Sequence, residues 1–319
     1  MKCAIVYEIN LDLEPSDRFN ELIKNFDIRI ISKTINNIYD KFTSSLSIIM
    51  NNIIKSIISK NIGKVMYFDE INYWSELFQI PFHKVLVLQL IYELNSACST
   101  FVTNINENQT MIRTMDWAMS ELKEMTYIGQ FYKNDKLIYS GVCWLGSVGM
   151  FTVKSHEHNY SVAINYRKTM DMSLISVLEN YNKTINMFWP VSYLLRYLIE
   201  QNLSYELVIK NLNESPLISP TYYIVNKFDA KPVIIQRNSQ SYDLIIGNEG
   251  NVIQTNCDND KFEPDILYSC DRREMIDKII KNYNNYDDII ERVYNFPVIN
   301  EETIYFCIIN KNIFEVWLI

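Results

Sequence analysis

The fold is decided by the stretch Tyr92-Glu93-Leu94-Asn95-Ser96-Ala97-Cys98-Ser99-Thr100, in which a helical pattern gives way to a strand pattern. The predicted strand begins with a cysteine. A thiol at the start of a strand either acts as a nucleophile or packs as an ordinary core side chain. The residues that the fold brings beside Cys98 decide between these two interpretations.

A second stretch, Arg113-Thr114-Met115-Asp116-Trp117, begins 113 − 98 = 15 positions after Cys98. Between them, Ser99 to Asn104 and Thr110 to Arg113 flank Asn106-Glu107-Asn108, and this pattern predicts a hairpin. A hairpin places its two ends side by side, so a thiol, a guanidinium and a carboxylate can meet within a few ångströms. From spacing alone, a buried structural cysteine beside a surface Arg–Asp pair is the favoured interpretation.

The rest of the chain divides into runs of helices and runs of strands. The predicted helices, in chain order, cover 11–22, 44–62, 172–182, 190–213 with a break near Asn202, and 273–294. The further predicted strands cover 127–132, 137–142, 150–154, 160–165, 222–226, 233–236, 242–246, 252–254, 304–309 and 313–318. Runs of this kind indicate an α+β fold, since βαβ units would alternate singly.

Composition excludes several classes of protein. The 319 residues carry 30 basic and 38 acidic side chains, a net charge of −8, and the absence of a basic run argues against a nucleic-acid partner. The longest apolar run, Val85 to Tyr92, is interrupted by Gln89 and is too short to span a membrane. Only 7 Gly and 8 Pro leave little room for linkers, so one composite domain is expected.

Cysteine and histidine usage gives no sign of a metal site. The six cysteines are widely spaced without a Cys-x-x-Cys pair, which suits neither a zinc ribbon nor a disulfide-dense scaffold. His156 and His158 fall in a predicted turn and lack a third ligand, so neither a metal nor another cofactor is expected.

Taken together, the motifs resemble the acid ceramidase and N-acylethanolamine acid amidase family, cysteine amidases of the N-terminal-nucleophile superfamily related to choloylglycine hydrolases. The nucleophile region carries the first part of the resemblance, with Tyr92-Glu93 leading to Cys98-Ser99-Thr100 and then Arg113 to Trp117. Further matching stretches lie before and after this region in the family's order: Asn10 to Pro15 with Arg18, Gly146 to Met150, Pro216 to Ile218 with Tyr222 to Val225, Gln254 to Asp258 and Asp271 to Arg273. Their order and spacing over nearly the whole chain identify the family.

The resemblance implies a fold and a processing event. The expected fold is an αββα sandwich of antiparallel sheets with a helical N-terminal segment. The precursor would cut its own backbone between Ala97 and Cys98, leaving a helical α-chain of 97 residues (1–97) and a β-chain of 319 − 97 = 222 residues (98–319) that stay associated.

The resemblance also implies a role for each matching site residue. Cys98 would be the nucleophile, and its freed α-amine, with an ordinary pKa of about 7.7–8.0, would be the local base. Arg113 would favour the thiolate, and Asp116 would hold the amine. Asn256 would donate its side-chain amide to the tetrahedral oxyanion, and Arg272 would brace the site electrostatically.

One position departs from the family pattern. Where the family has an acidic residue before Arg at the end of the middle sheet, this chain has Asn165-Tyr166-Arg167. If the position serves the oxyanion through its backbone N–H, Tyr166 supplies the same donor. If the lost carboxylate tunes the site, the pH optimum or the self-cleavage differs.

The implied function is hydrolysis of the amide bond of an N-acyl lipid, an N-acylethanolamine or a ceramide, to fatty acid and amine through a Cys98 thioester. Met119, Trp144 and Trp189 are candidates for an apolar slot for the acyl chain, although each residue of this kind is more often plain core. Two alternatives stay open: a non-catalytic lipid-binding or decoy homologue, and a bile-salt or penicillin-type amidase. No leader peptide is expected, because Glu8 interrupts the first apolar segment. This favours a cytoplasmic location over the lysosomal or secreted location of relatives. Transient contact with a membrane surface is compatible with a lipid substrate.

Overall fold

The computed structural model describes residues 2–43, 64–90, 96–167, 183, 188–248, 250–258 and 267–319. The helices predicted over 44–62 and 172–182 lie outside these ranges. Within the described part of the chain, no helix combines the length and the apolar character needed to cross a membrane.

Fourteen strands occur among the described residues. They are β1 Lys2–Cys3, β2 Val6–Asn10, β3 Ala97–Ile105, β4 Asn108–Asp116, β5 Thr126–Lys133, β6 Lys136–Trp144, β7 Thr152–Ser155, β8 Tyr160–Tyr166, β9 Thr221–Lys227, β10 Val233–Arg237, β11 Tyr242–Ile246, β12 Val252–Gln254, β13 Thr303–Ile309 and β14 Phe314–Leu318.

Ten helices occur among the same residues. They are α1 Pro15–Arg18, α2 Asn20–Ile23, α3 Ile28–Thr43, α4 Phe68–Phe78, α5 Phe82–Leu90, α6 Leu122–Met125, α7 Val191–Glu200, α8 Tyr205–Glu214, α9 Ser269–Asn282 and α10 Tyr286–Val293. The break predicted near Asn202 falls between α7 and α8, where the Ser204 hydroxyl caps α8 by accepting a hydrogen bond from the Leu207 N–H. The single helical stretch predicted over 273–294 is two helices, α9 and α10, and Asn285 caps the second.

The strands form two sheets. The first has the order β1-β14-β13-β4-β3-β12, and the second has the order β11-β10-β9-β8-β7-β6-β5-β2. The residues of α9 and α10 pack with one face of the first sheet in a separate apolar cluster, while α7 and α8 contact the second sheet. The two sheets share the main core. The architecture is therefore an αββα sandwich, as expected.

The N-terminal strands differ from the expectation. Residues 1–97 were expected to be helical, but β1 pairs antiparallel with β14 and β2 pairs with β5. The β2–β5 pair is parallel, so the sheets are not purely antiparallel. Alternating burial along Val6–Asn10 is consistent with a strand, because Tyr7 and Ile9 are buried while their neighbours are exposed or half-buried. The segment before Cys98 thus contributes a strand to each sheet.

The β3–β4 hairpin is formed as predicted. Asn106 and Glu107 both have positive φ angles, 47° and 65°, which suits the tight two-residue turn of a hairpin. The register pairs Cys98 with Met115 and Ala97 with Asp116. Since successive side chains of a strand point to opposite faces, Cys98 faces the core between the sheets and Asp116 faces the α9 layer.

A buried ionic network links the segment before Cys98 to the segment after it. Arg196 donates to both carboxylate oxygens of Glu70, at 2.8 and 2.6 Å, and its Nε donates to Glu200 at 2.7 Å. Arg18 adds a second cation, 3.3 Å from Glu70. Removing one partner of such a buried network leaves an uncompensated charge, so the network holds α4 against α7.

Candidate active site

The thiol of Cys98 lies at the start of β3 and is completely buried. Its Sγ contacts the Sδ of Met115 at 3.6 Å on the neighbouring strand. Tyr92 and Glu93, which carried part of the resemblance, lie outside the described residues. Ser96 and Ala97 are described and are both buried, so the peptide bond before the thiol lies inside the protein.

Arg113 points at the thiol from the adjacent strand. Its Nη2 lies 3.3 Å from the Cys98 Sγ. The same guanidinium donates to two backbone carbonyls on the opposite side of the core, Phe151 O just before β7 at 2.5 Å and Ile164 O in β8 at 2.6 Å. These two contacts fix the planar group across the space between the sheets, so a positive charge is held against the sulfur.

Asn256 meets Cys98 from the segment that follows β12. Its Oδ1 accepts hydrogen bonds from the Cys98 N–H at 2.8 Å and from Arg272 Nη2 at 2.9 Å. Its Nδ2 donates to the carbonyl of Tyr166 at 2.8 Å. This arrangement differs from the expectation, in which Asp116 holds the Cys98 nitrogen and Asn256 donates to an oxyanion. In the intact chain, the oxygen of Asn256 holds that nitrogen.

Asp116 and Arg272 form a second cluster on the helix-facing side of β3 and β4. Arg272 lies in the first turn of α9, and its Nη1 is 3.4 Å from Asp116 Oδ2 and 2.8 Å from Ser99 Oγ. Thr303 donates to the other carboxylate oxygen at 2.7 Å. Burial raises the pKa of the Asp116 carboxyl to about 6, against the opposing effect of the Arg272 charge. The two clusters are joined through Asn256, because it touches both Cys98 and Arg272.

The expected backbone donor, Tyr166, is the last residue of β8 and is nearly buried. The contact that the structure describes uses its carbonyl as an acceptor for Asn256. Its N–H as an oxyanion donor stays a prediction.

Two charged residues beside the site were not assigned a role from the sequence. Arg167 forms a bidentate pair with Asp258, at 2.8 and 2.6 Å, and both side chains are about nine-tenths buried. Tyr222 also donates to the Asp258 carboxylate. Arg167 follows Tyr166, and Asp258 lies two positions after Asn256, so this pair clamps together the two segments that meet at the Asn256–Tyr166 hydrogen bond. The sequence does contain a signal for this ion pair, because oppositely charged residues lie next to the candidate residues Tyr166 and Asn256.

An apolar cavity of about 60 Å³ lies beside these groups. It is lined by residues from before and after Cys98: Ile35, Ile38, Val85, Leu88, Gln89, Trp117, Met119, Leu122, Met125, Trp144, Leu145, Gly146, Ser147 and Phe151. Phe151 connects it to the thiol, because its carbonyl accepts the hydrogen bond from Arg113. Met119 and Trp144 are among the lining residues, and their role in holding an acyl chain stays a prediction. Trp189 is not among them; it bridges to Leu217, and its ring lies 5.0 Å from that of Tyr197.

The histidines of the 156–158 turn have ordinary partners. His156 Nε2 lies 2.8 Å from Ser140 Oγ, and His158 Nε2 lies 2.8 Å from the carbonyl of Asn202. Over the part of the chain that the structure describes, no three His, Cys, Asp or Glu side chains converge as metal ligands.

Comparison with known proteins places this geometry in a family. A family model described as the beta subunit of N-acylethanolamine-hydrolyzing acid amidase matches residues 6–62. The chain is 33% identical over 316 residues to the uncharacterized protein R632 of Acanthamoeba polyphaga mimivirus, with 96% of each chain covered. It is 25% identical over 343 residues to the acid ceramidase of Heterocephalus glaber, with 98% of this chain and 85% of the relative covered.

A solved structure shows the same fold. The Caenorhabditis elegans N-acylethanolamine-hydrolyzing acid amidase ortholog superimposes with a TM-score of 0.60 and 22% identity, covering 70% of this chain and 100% of that chain. The fold is therefore that of the N-terminal-nucleophile hydrolases. The chain belongs to the acid ceramidase and N-acylethanolamine acid amidase family, a family of amide hydrolases.

Proposed function

We propose that this chain is a self-processing cysteine amidase that hydrolyses the amide bond of an N-acyl lipid to a fatty acid and an amine. The observation that carries the proposal is the environment of Cys98. A buried thiol at the start of a strand lies 3.3 Å from the Arg113 guanidinium, while the nitrogen of the same residue is held at 2.8 Å by Asn256. Sulfur and nitrogen of one residue are both positioned for chemistry.

The first reaction is cleavage of the chain before Cys98. The Sγ attacks the carbonyl carbon of Ala97, the peptide nitrogen of Cys98 takes up a proton and leaves, and Ala97 becomes a thioester on the sulfur. The departed nitrogen is now the α-amine of Cys98, and water then hydrolyses the thioester, which frees the thiol and leaves a carboxylate on Ala97. Arg113 stabilises the negative charge that sulfur carries during attack.

The second reaction repeats this chemistry on the substrate. The α-amine of Cys98 takes the thiol proton, and the sulfur attacks the substrate amide carbonyl. The second N–H of the Asn256 amide and the backbone N–H of Tyr166 are the proposed donors to the oxyanion. The Cys98 α-ammonium gives its proton to the amide nitrogen, collapse of the tetrahedral intermediate expels the amine head group, and water releases the fatty acid from the Cys98 thioester.

The apolar cavity supports a lipid acyl chain as the substrate's tail. Its lining is almost entirely aliphatic and aromatic, and each methylene buried there contributes about 0.8 kcal/mol to binding. The relatives named acid ceramidase and N-acylethanolamine-hydrolyzing acid amidase point to ceramides and N-acylethanolamines as the first substrates to test.

A second candidate, a non-catalytic lipid-binding homologue, is motivated by Tyr166, which replaces the family's acidic residue. Intact mass after incubation at acidic and neutral pH separates the two candidates. An active amidase yields chains of 97 and 222 residues, the longer one beginning at Cys98, and then hydrolyses one member of a panel of ceramides, N-acylethanolamines, conjugated bile acids and penicillins. The Cys98→Ala variant must stay intact, whereas Cys143→Ala, which removes a buried thiol outside the site, must still be cut. Cleavage in Cys98→Ala would refute the self-processing mechanism.

A further inference from the structure

Two more thiols lie directly beside the candidate site. Cys257 is buried and follows Asn256, while Cys270 is exposed in the first turn of α9, two positions before Arg272. Their Sγ atoms are 3.8 Å apart. The two sulfurs therefore lie on the same two chain segments that the Asn256–Arg272 hydrogen bond connects.

The hydroxyl of Ser269 fixes the position of Cys257 in this pair. The hydroxyl of Ser269 contacts Cys257 Sγ at 3.3 Å and accepts the backbone N–H of Asn256 at 2.9 Å. A disulfide bond is about 2.05 Å long, so side-chain rotation that moves the sulfurs together by under about 2 Å closes the bond. The buried position of one sulfur and the exposure of the other suit a pair in which one thiol reacts with an oxidant and the second resolves it.

We propose that Cys257 and Cys270 are a redox modification site: a reversible disulfide that fastens the Asn256 segment to the helix carrying Arg272. The oxidant is a small disulfide such as oxidised glutathione. The exposed Cys270 thiolate attacks one sulfur of that disulfide, forming a mixed disulfide and releasing one thiol. Cys257, as its thiolate, then attacks the Cys270 sulfur and releases the second thiol. Two protein thiols and one small disulfide thus become one protein disulfide and two small thiols, and an excess of thiol reverses the exchange.

The disulfide restricts the motion of Asn256 relative to Arg272 and leaves the residues of the site unchanged. It closes a ring over residues 257–270 and fixes Asn256 relative to Arg272, so the oxidised protein resists heat better than the reduced protein. Any effect on catalysis rests on the function proposed above. Formation of the bond does not, because neither sulfur takes part in the amidase reaction.

The test uses the full chain with Cys98→Ala, so that its outcome is independent of self-cleavage and of amidase activity. The folded protein is equilibrated in glutathione buffers from reduced to oxidised, quenched with an alkylating reagent, and analysed by intact mass and peptide mapping. We expect a peptide linked through Cys257 and Cys270 that disappears under reducing conditions. We also expect a melting temperature about 5 °C higher in the oxidised form.

Three variants complete the test. Cys270→Ser must lose both the linked peptide and the melting shift. Cys257→Ser must accumulate a glutathione adduct on Cys270. Cys3→Ser, which removes the exposed thiol of β1, must behave like the parent. The proposal is overturned if the folded parent forms no 257–270 link in oxidised glutathione, or if Cys270→Ser keeps the melting shift.

Discussion

Arg113 Nη2 lies 3.3 Å from Cys98 Sγ, and neither side chain is exposed to solvent. The guanidinium also donates to two backbone carbonyls, Phe151 O just before β7 and Ile164 O in β8. Its positive charge is therefore directed at the sulfur, and its position depends on the distance between the sheets.

We expect Arg113→Lys to slow self-cleavage by about 10- to 100-fold. A single ammonium group cannot contact the thiol and two carbonyls in the fixed planar geometry of a guanidinium. The rate of appearance of the longer fragment on gels measures the effect. Arg237→Lys is the matched control, because Arg237 is also buried and also donates to two carbonyls, Leu212 O and Ser215 O. An unchanged rate in Arg113→Lys would contradict a role for the guanidinium.

We expect Asn256→Asp to lower amidase turnover by about 10²- to 10³-fold, because the substitution keeps an acceptor for Cys98 N–H but removes the donor proposed for the oxyanion. Single-turnover formation of the acyl-enzyme is the measurement. Asn226→Asp changes a buried amide that bonds to Gln109 instead, and it should leave turnover of the folded protein unchanged. Full activity in Asn256→Asp would remove Asn256 from the oxyanion site.

Asp116 predicts a pH-dependent contribution to stability. Its folded pKa of about 6 lies above the ordinary 3.8, so the folded protein binds this proton more tightly than the unfolded chain. The contribution is complete below pH 3.8 and is lost as the pH rises through 6. Asp116→Asn removes this negative contribution, so between these pH values the slope of the unfolding free energy against pH should be more positive than in the parent. Identical slopes in urea titrations would contradict the raised pKa.

Breaking the Arg167–Asp258 pair should lower the stability of the protein and slow self-cleavage. Asp258→Asn should lower the unfolding free energy by about 3 kcal/mol, since it leaves Arg167 buried without its charge partner. It should also slow self-cleavage, because Asn256 and Tyr166 lose their alignment. Glu157→Gln breaks the exposed Lys136–Glu157 pair and should leave the unfolding free energy almost unchanged, because solvent screens an exposed ion pair. Equal effects of the two substitutions would contradict the clamp.

Filling the cavity should alter substrate choice. Met119→Trp places a larger side chain among the lining residues and should reduce kcat/KM for long-chain amides by at least about tenfold, with a smaller effect on short-chain amides. Trp189→Phe, outside the cavity, is the control and should leave the chain-length profile unchanged. A uniform loss across chain lengths would point to a packing defect instead of a binding slot.

Local sequence signals account for the parts of the fold that were predicted correctly. The β3–β4 hairpin follows from Asn106 and Glu107 between two alternating segments, and the ends of α7 and α8 follow from a break near Asn202. The parallel pairing of β2 with β5 was missed because its partners are more than 100 residues apart and β2 has only 5 residues. A short strand of this kind is specified by its neighbour in space, which the local pattern does not contain.

The candidate site, like the fold, was predicted only where local sequence signals determine the structure. The hairpin predicted that Cys98 and Arg113 approach each other, and they do. The sequence did not predict that Asp116 faces the opposite side of the sheet, because that depends on the register Ala97–Asp116. An Asn side chain carries both a donor and an acceptor, so its residue type alone left open which atom of Asn256 meets Cys98.

The two N-terminal strands determine whether the two chains stay associated after cleavage before Cys98. A break after Ala97 removes one covalent bond, but β1 stays paired with β14, β2 stays paired with β5, and Glu70 stays bound to Arg196. The nicked protein should therefore migrate as one species on gel filtration even at high dilution, and melt in a single transition. Under the proposed self-cleavage, the new N-terminus at Cys98 would form inside a protein whose two chains stay associated.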